Sequence, residues 1–154
     1  LILPLALAAA SLIFLQTNSF LAHRDRLLEG YRPDHYTAST NWMKQNTAPD
    51  AIIFHTNWDT FPLLFSGNDK NRYIVGLDTT FLYDRDPERY LLWYKIIYGE
   101  YVGDVVGKIE KTFQSKTIFI DKNRDHDLFQ RQVEASPRAE KVYEDTVSVI
   151  FTIR

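Results

Sequence analysis

The sequence contains no cysteine. Disulfides, thiolate metal sites and a cysteine nucleophile are therefore excluded, while the redox compartment stays open. Charge of one sign is also missing: 18 Lys and Arg stand against 20 Asp and Glu, a formal net charge of −2. No nucleic-acid partner is expected from that balance. The familiar signatures of nucleotide binding and hydrolysis are missing too. There is no Gly-x-Gly-x-x-Gly, no Walker A loop, no Gly-x-Ser-x-Gly and no His-Glu-x-x-His. No internal repeat or low-complexity stretch breaks the chain.

What remains is 154 residues, 45% hydrophobic and 25% charged, the composition of one globular domain plus a small extra. The extra is the start. "LILPLALAAASLIFL" carries no charge, and no Lys, Arg, Asp or Glu precedes Arg24. A spanning helix needs about 20 mostly apolar residues. The expectation is a truncated transmembrane helix over residues 1–22, a juxtamembrane linker over 23–33 and a soluble domain over 34–154. A signal segment, with Ala6-Leu7-Ala8 resembling a cleavage site, and a buried core helix are the rival readings. The flank "AHRDRLLEGYR" has too small a basic excess to set orientation.

Along the soluble part, Pro33-Asp34 signals a helix start with Asp34 as N-cap, and Asn46 and Pro49 end that helix. Ala51 to Thr56 reads as a buried strand. Residues 59–66 read as a short helix capped by Asp59, with Pro62 in its first turn. Arg72 to Gly76 predicts a second strand. Asp86-Pro87-Glu88 opens a helix carrying Tyr90, Leu91, Trp93, Tyr94, Ile97 and Tyr98. "GDVVGKIEKTF" predicts an amphipathic helix, Lys116 to Ile120 a third strand, and residues 125–135 a helix. "KVYEDTVSVIFTI" alternates at period two and predicts a hairpin turning at Asp145-Thr146. The order α-β-α-β-α-α-β-α-β-β implies an α/β fold: a small, mainly parallel sheet flanked by helices, closed by a C-terminal antiparallel hairpin.

Ligand sites in such sheets sit beyond the carboxyl ends of the strands. Three strand ends carry polar groups: His55, Asn57, Trp58 and Asp59 after the first, Asp78 and Thr79 after the second, and Asp121, Lys122 and Asn123 after the third. Four readings compete for them. A divalent metal could use His55 with Asp59, Asp78 or Asp121. Acid–base catalysis could pair His55 with a carboxylate. A sugar or peptide contact could use Trp58, Tyr83 and Asp59, an aromatic face beside a hydrogen-bonding carboxylate. Capping and strand-end chemistry could account for all of them. The substrate-contact set drawn from these is His55, Asn57, Trp58, Asp59, Asp78 and Tyr83, with no catalytic residue and no metal ligand. The spacing of Tyr90, Trp93, Tyr94 and Tyr98 is more often that of a core stripe than of a binding face; tyrosines there would also suit a membrane interface. His23, His35 and His126 stand alone and are expected on the surface.

"STNWMKQNTAPDAIIFHTNWD", residues 39–59, resembles the segment just after the last membrane helix of bacterial polytopic glycosyltransferases of GT-C architecture, related to protein mannosyltransferases. In that pattern Trp42-Met43 is the helix end, Asn46 to Asp50 the turn and Ala51 to Phe54 the strand opening an extracytoplasmic domain. "NWDTFPLLFSGNDKNRYIVGLDTTFLYDRDPERYLLWY" is similar to the next stretch of chain in members of that group. A fainter similarity links Trp58-Asp59 to the Trp-Trp-Asp-Tyr-Gly motif of the oligosaccharyltransferase catalytic subunit. The first Trp, the Tyr and the Gly are absent here, so sequon reading is not carried over. The resemblance implies the C-terminal part of an integral-membrane transferase using a polyprenyl-phosphate sugar as donor, with the catalytic carboxylate outside this chain and no cofactor within it. It also implies an extracytoplasmic (periplasmic) soluble part, and as partners membrane lipid, the remaining polytopic membrane chain and a glycan or protein acceptor. The alternatives are a membrane-anchored sugar- or peptide-binding module without transferase chemistry, and a self-contained hydrolase or metal enzyme using His55.

Overall fold

The computed structural model describes Ser11, residues 14–20 and residues 32–154. The chain divides into two compact units, Leu1–Pro33 and Asp34–Arg154. In the first, residues 14–20 are helical; the rest of the expected membrane helix and most of the linker lie outside the described residues. Among the described residues no helix is long and apolar enough to cross a membrane.

The second unit is the α/β domain expected. Its elements are α1 (Thr37–Asn46), β1 (Ile52–His55), α2 (Phe61–Gly67), β2 (Arg72–Tyr73), α3 (Thr80–Arg85), α4 (Pro87–Ile97), α5 (Val105–Phe113), β3 (Thr117–Asp121), a 3-10 turn (Arg124–His126), α6 (Asp127–Glu134), β4 (Ala139–Glu144) and β5 (Ser148–Ile153). The five strands form one sheet in the order β2-β1-β3-β5-β4. β1 runs parallel to β2 and β3, with Ile52 beside Arg72 and Phe54 beside Ile118. β5 lies antiparallel to β3, with Phe119 opposite Ile150, and β4 closes the hairpin at the edge.

Strand side chains alternate between two faces, and the two cores sort accordingly. Ile53, Phe119 and Ile150 meet Tyr36 and Met43 of α1 and its approach, and Leu64 of α2. Phe54, Ile118, Ile120, Val149, Phe151 and Ile153 meet the buried faces of α4, α5 and α6 on the other side. His55 and Asp121 share parity with Ile53 and Phe119, so both turn toward α1 and α2. That parity places the polar strand ends.

Local signals explain several elements. Asp86 caps α4 by accepting from Arg89 N at 2.9 Å, and Pro87 takes the first helical position. Asp104 caps α5 through Gly107 N at 2.9 Å. Ser115 Oγ accepts from Phe54 N at 3.0 Å and donates to Ile52 O at 2.7 Å, tying β1 to the residues before β3.

The structure departs from expectation at several elements. Asp34 does not cap α1 with its side chain; its carbonyl accepts from Thr37 N at 3.1 Å, and Tyr36 is the N-cap. β2 is two residues long, because the His55 ring, not β1 backbone, meets Val75 O at 3.0 Å. α3 is an element with no counterpart in the sequence reading: its six residues include none that are buried, so it has no hydrophobic period to read.

Gly99 follows α4 with φ at 71°, and a Cβ there would stand 2.5 Å from Leu128 Cβ. Gly99→Ala is expected to destabilise the domain by about 2 kcal/mol, through positive φ and displacement of α6. Urea unfolding checks it; a loss under about 0.5 kcal/mol would show that α6 yields freely.

Candidate functional site

The turn after β1 is held from inside. His55 is fully buried. Its Nδ1 lies 2.9 Å from Asn57 O and its Nε2 3.0 Å from Val75 O. Trp93 Nε1 donates to His55 O at 3.0 Å. Burial lowers the ring from 6.5 to about 4, outweighing the two backbone contacts, so the imidazole is neutral near pH 7. A neutral imidazole has one N–H and bonds one carbonyl at a time. His55 is thus a tie between the β1 turn and the β2 loop. It offers no ring nitrogen to a metal or a substrate, which removes the metal, acid–base and direct-contact roles given to it from sequence.

Asn57 also turns inward. Its Nδ2 donates to Asp121 Oδ2 at 2.9 Å, and its Oδ1 lies 3.0 Å from His126 Nε2. Asp121, the last residue of β3, is 4% exposed and accepts from Tyr36 Oη at 2.8 Å. Its backbone N donates to Thr56 Oγ1 at 3.1 Å. His126 Nδ1 lies 3.0 Å from Ile97 O. Tyr36, Asp121, Asn57 and His126 therefore form one polar chain, buried except at half-buried Asn57, joining α1, β3, the β1 turn and the end of α4. His126, expected on the surface, is 1% exposed. Neither its burial nor the part played by Tyr36 has a local signature, since both depend on how α1 and α4 cross the sheet.

Trp58 and Asp59 sit above this chain and face out. Asp59 does not cap α2. Thr60 is the N-cap, and its hydroxyl turns back to Asn57 O at 2.8 Å. The Asp59 carboxyl is raised above its ordinary value, first by partial burial and then by the neighbouring Asp121. Trp58 is 48% exposed and lines a groove of about 330 Å³ with Leu77, Asp78 and Thr79. Asp78 Oδ1 accepts from Thr80 N at 2.8 Å, which opens α3 and lowers the carboxyl below its ordinary value. The ends of β1 and the β2 loop thus meet at one groove, with an indole on one wall and an ionised carboxylate on the other. Tyr83 does not line the groove; it lies on α3 with its ring 5.5 Å from Tyr90.

A larger cavity of about 450 Å³ opens between the start of α5 and the end of α6, with Asp104, Gln132, Ser136 and Arg138 in its wall. Arg138 is engaged by Asp104 at 3.1 Å and by Glu110. None of the six residues singled out from sequence lines it. Among the described residues no group of three or more His, Asp or Glu side chains is placed to hold a metal ion.

No protein-family model matches this chain, and neither a curated protein nor a solved structure matches it.

Proposed function

We propose that residues 34–154 form an accessory recognition domain of a membrane glycosyltransferase that uses a lipid-phosphate-linked sugar, and that the domain contacts the glycan or acceptor and performs no bond cleavage itself. The observation that carries the recognition role is the groove where Trp58 and Asp78 meet beyond the carboxyl ends of the parallel strands. A pyranose suits it: the C–H face of the ring stacks on the indole, and its hydroxyls donate to the carboxylate. The burial of His55 and Asp121 supports a non-catalytic role, because the strand-end histidine and carboxyl that could carry acid–base chemistry are committed to holding the turn. The transferase context is supported by the uncharged N-terminal run and by the resemblance over residues 39–59.

Titration calorimetry of the 154-residue chain with mannose, glucose and N-acetylglucosamine tests the recognition role. One of these is expected to bind, and Trp58→Ala and Asp78→Ala are each expected to weaken it about tenfold or more. Unchanged affinity in both variants would remove the groove from the site. The transferase context is tested separately by deleting residues 34–154 from the intact gene product. Loss of acceptor glycosylation with lipid-linked donor hydrolysis retained is expected; full glycosylation would contradict it.

A further inference from the structure

His126 is 1% exposed and stands between two oxygens. Its Nδ1 lies 3.0 Å from Ile97 O and its Nε2 3.0 Å from Asn57 Oδ1. Both oxygens are acceptors, so each contact needs an N–H from the ring. The orientation of Asn57 is set by its other neighbour. Its Nδ2 donates to Asp121 Oδ2 at 2.9 Å, and a carboxylate only accepts. Turning the amide over would set Asn57 Oδ1 against Asp121, a contact closed only by a protonated carboxyl. Either way, the chain Tyr36–Asp121–Asn57–His126 is fully bonded only with one proton more than a carboxylate and a neutral imidazole supply. A neutral His126 leaves one of its two oxygens facing a ring lone pair.

Two features put that proton on the ring. Ile97 is the last residue of α4, where the carbonyls carry the negative end of the helix dipole and favour a cation. Asp121 stands one amide away, and Asp59 is near enough for its charge and that of His126 to act on each other. From α4 the Tyr98 ring packs 5.9 Å from the His126 ring. The segment of His126 itself adds Arg124, Asp125 and Asp127, all exposed. At the far end of the chain, the His35 ring packs 4.6 Å from Tyr36. His55 has the same two-oxygen geometry, but burial dominates there and no carboxylate is among the groups that act on it, so it stays neutral.

We infer that protonation of His126 latches the Trp58 turn, making His126 a positioning residue of the groove, so that ligand affinity falls as the pH is raised through neutrality. This rests on the recognition role proposed above. The imidazolium donates to Asn57 Oδ1, Asn57 donates to Asp121, and Trp58 follows Asn57 directly in the chain. When the proton leaves to solvent, the ring keeps one N–H. The helix end and Asn57 then compete for it, and the contact that holds the turn weakens. Histidine is the side chain that changes charge across neutral pH. The neutral sugars proposed as ligands do not titrate there, so a pH dependence of binding comes from the protein. His55, which also holds this turn, is lowered to about 4 and stays neutral throughout that range.

The test is a titration from about pH 5.5 to about pH 8.5 on the 154-residue chain, as wild type and as His126→Gln. Imidazole nitrogens and the Trp58 indole are followed by NMR without ligand, and affinity for mannose, glucose and N-acetylglucosamine is then measured across the range. In the wild type, both His126 nitrogens are expected to carry protons at the acid end and one at the basic end. The Trp58 resonance is expected to move with the same midpoint, and affinity to fall about fivefold. His126→Gln is expected to hold both the resonance and the affinity flat. A Trp58 resonance that is flat in the wild type, that moves with a midpoint other than that of His126, or that moves as far in His126→Gln overturns the latch; the last result would assign the change to Asp59 or His35. The wild-type midpoints decide by themselves should the variant not fold. Affinity that stays constant while the resonance moves overturns the positioning role. Absence of sugar binding at every pH removes the recognition role, and the ligand-free resonances still decide the latch.

Discussion

Lowering the pH from 7 to 4 is expected to cost the domain about 3 kcal/mol through His55 alone. The ring titrates at 6.5 when the chain is unfolded and at about 4 when buried between Asn57 O and Val75 O. Between those values the unfolded chain binds a proton that the folded chain refuses. Stability is therefore complete above pH 6.5, falls as the pH drops through the window, and levels off below the folded value. Urea unfolding at pH 7, 5.5 and 4, carried out on the wild type and on His55→Gln, reads the effect as a difference in slope. His126 and all carboxyls are common to both chains and cancel in that difference. The variant is expected to be less stable at pH 7 and flatter with pH. Equal slopes would mean that the His55 ring is solvated in the folded state, against its full burial.

The second large effect belongs to Asp121. Its two oxygens accept from Tyr36 Oη and Asn57 Nδ2 in a site 4% exposed. Asp121→Ala strands the buried Tyr36 hydroxyl and the half-buried Asn57 amide, and a buried donor left unpaired costs about 1–3 kcal/mol; with the lesser cost at Asn57 the sum is expected near about 3 kcal/mol. Asp121→Asn preserves the shape and one acceptor, and is expected to cost about 1 kcal/mol. Denaturant midpoints of the two variants check the ranking. Equal losses would show that volume, and not the pairing of Tyr36 and Asn57, sets the cost. Because Asn57 precedes Trp58 directly, Asp121→Ala is also expected to weaken sugar binding at a temperature where the variant stays folded.

The elements legible in the sequence are those built by short-range chemistry. Ile52-Ile53-Phe54 reads as a strand because three apolar residues stand between turn formers. The closing hairpin reads from its period-two alternation. Asp86-Pro87 reads as a helix start because the cap and the fixed φ act within one turn. α3 has no such signal, having no buried residue. Asp59 and Thr60 are both capping types in adjacent positions, and propensity does not choose between them; the helix starts after Thr60. The face of α4 is equally open to a sequence reading. Leu91, Leu92, Trp93, Tyr94, Ile96, Ile97 and Tyr98 leave it apolar nearly all round, so spacing alone does not say which arc meets the sheet.

The candidate site divides along the same line. Trp58 and Asp78 are placed by a topological rule, that ligands gather beyond the carboxyl ends of parallel strands, and they share a groove. His55 has the same sequence context and the opposite fate. Strand parity turns it under α1 and α2, and a residue-by-residue reading of an apolar run ending in His-Thr-Asn-Trp-Asp does not fix where the strand stops. The polar chain from Tyr36 to His126 joins residues as far apart as Tyr36 and Asp121, and such pairings exist only once the helices are packed.

The most direct measurement uses the three tryptophans. Trp93 is 2% exposed and inside the core, Trp42 packs against Tyr143, and Trp58 stands in the groove, half exposed. Labelled with 5-fluorotryptophan, the chain should give three resolved fluorine resonances, assigned by Trp58→Phe and Trp42→Phe. Titration with mannose, glucose and N-acetylglucosamine is expected to move the Trp58 resonance in a saturable way and to leave Trp93 in place. A Trp58 resonance that stays fixed through millimolar concentrations of all three sugars would contradict recognition at the carboxyl edge.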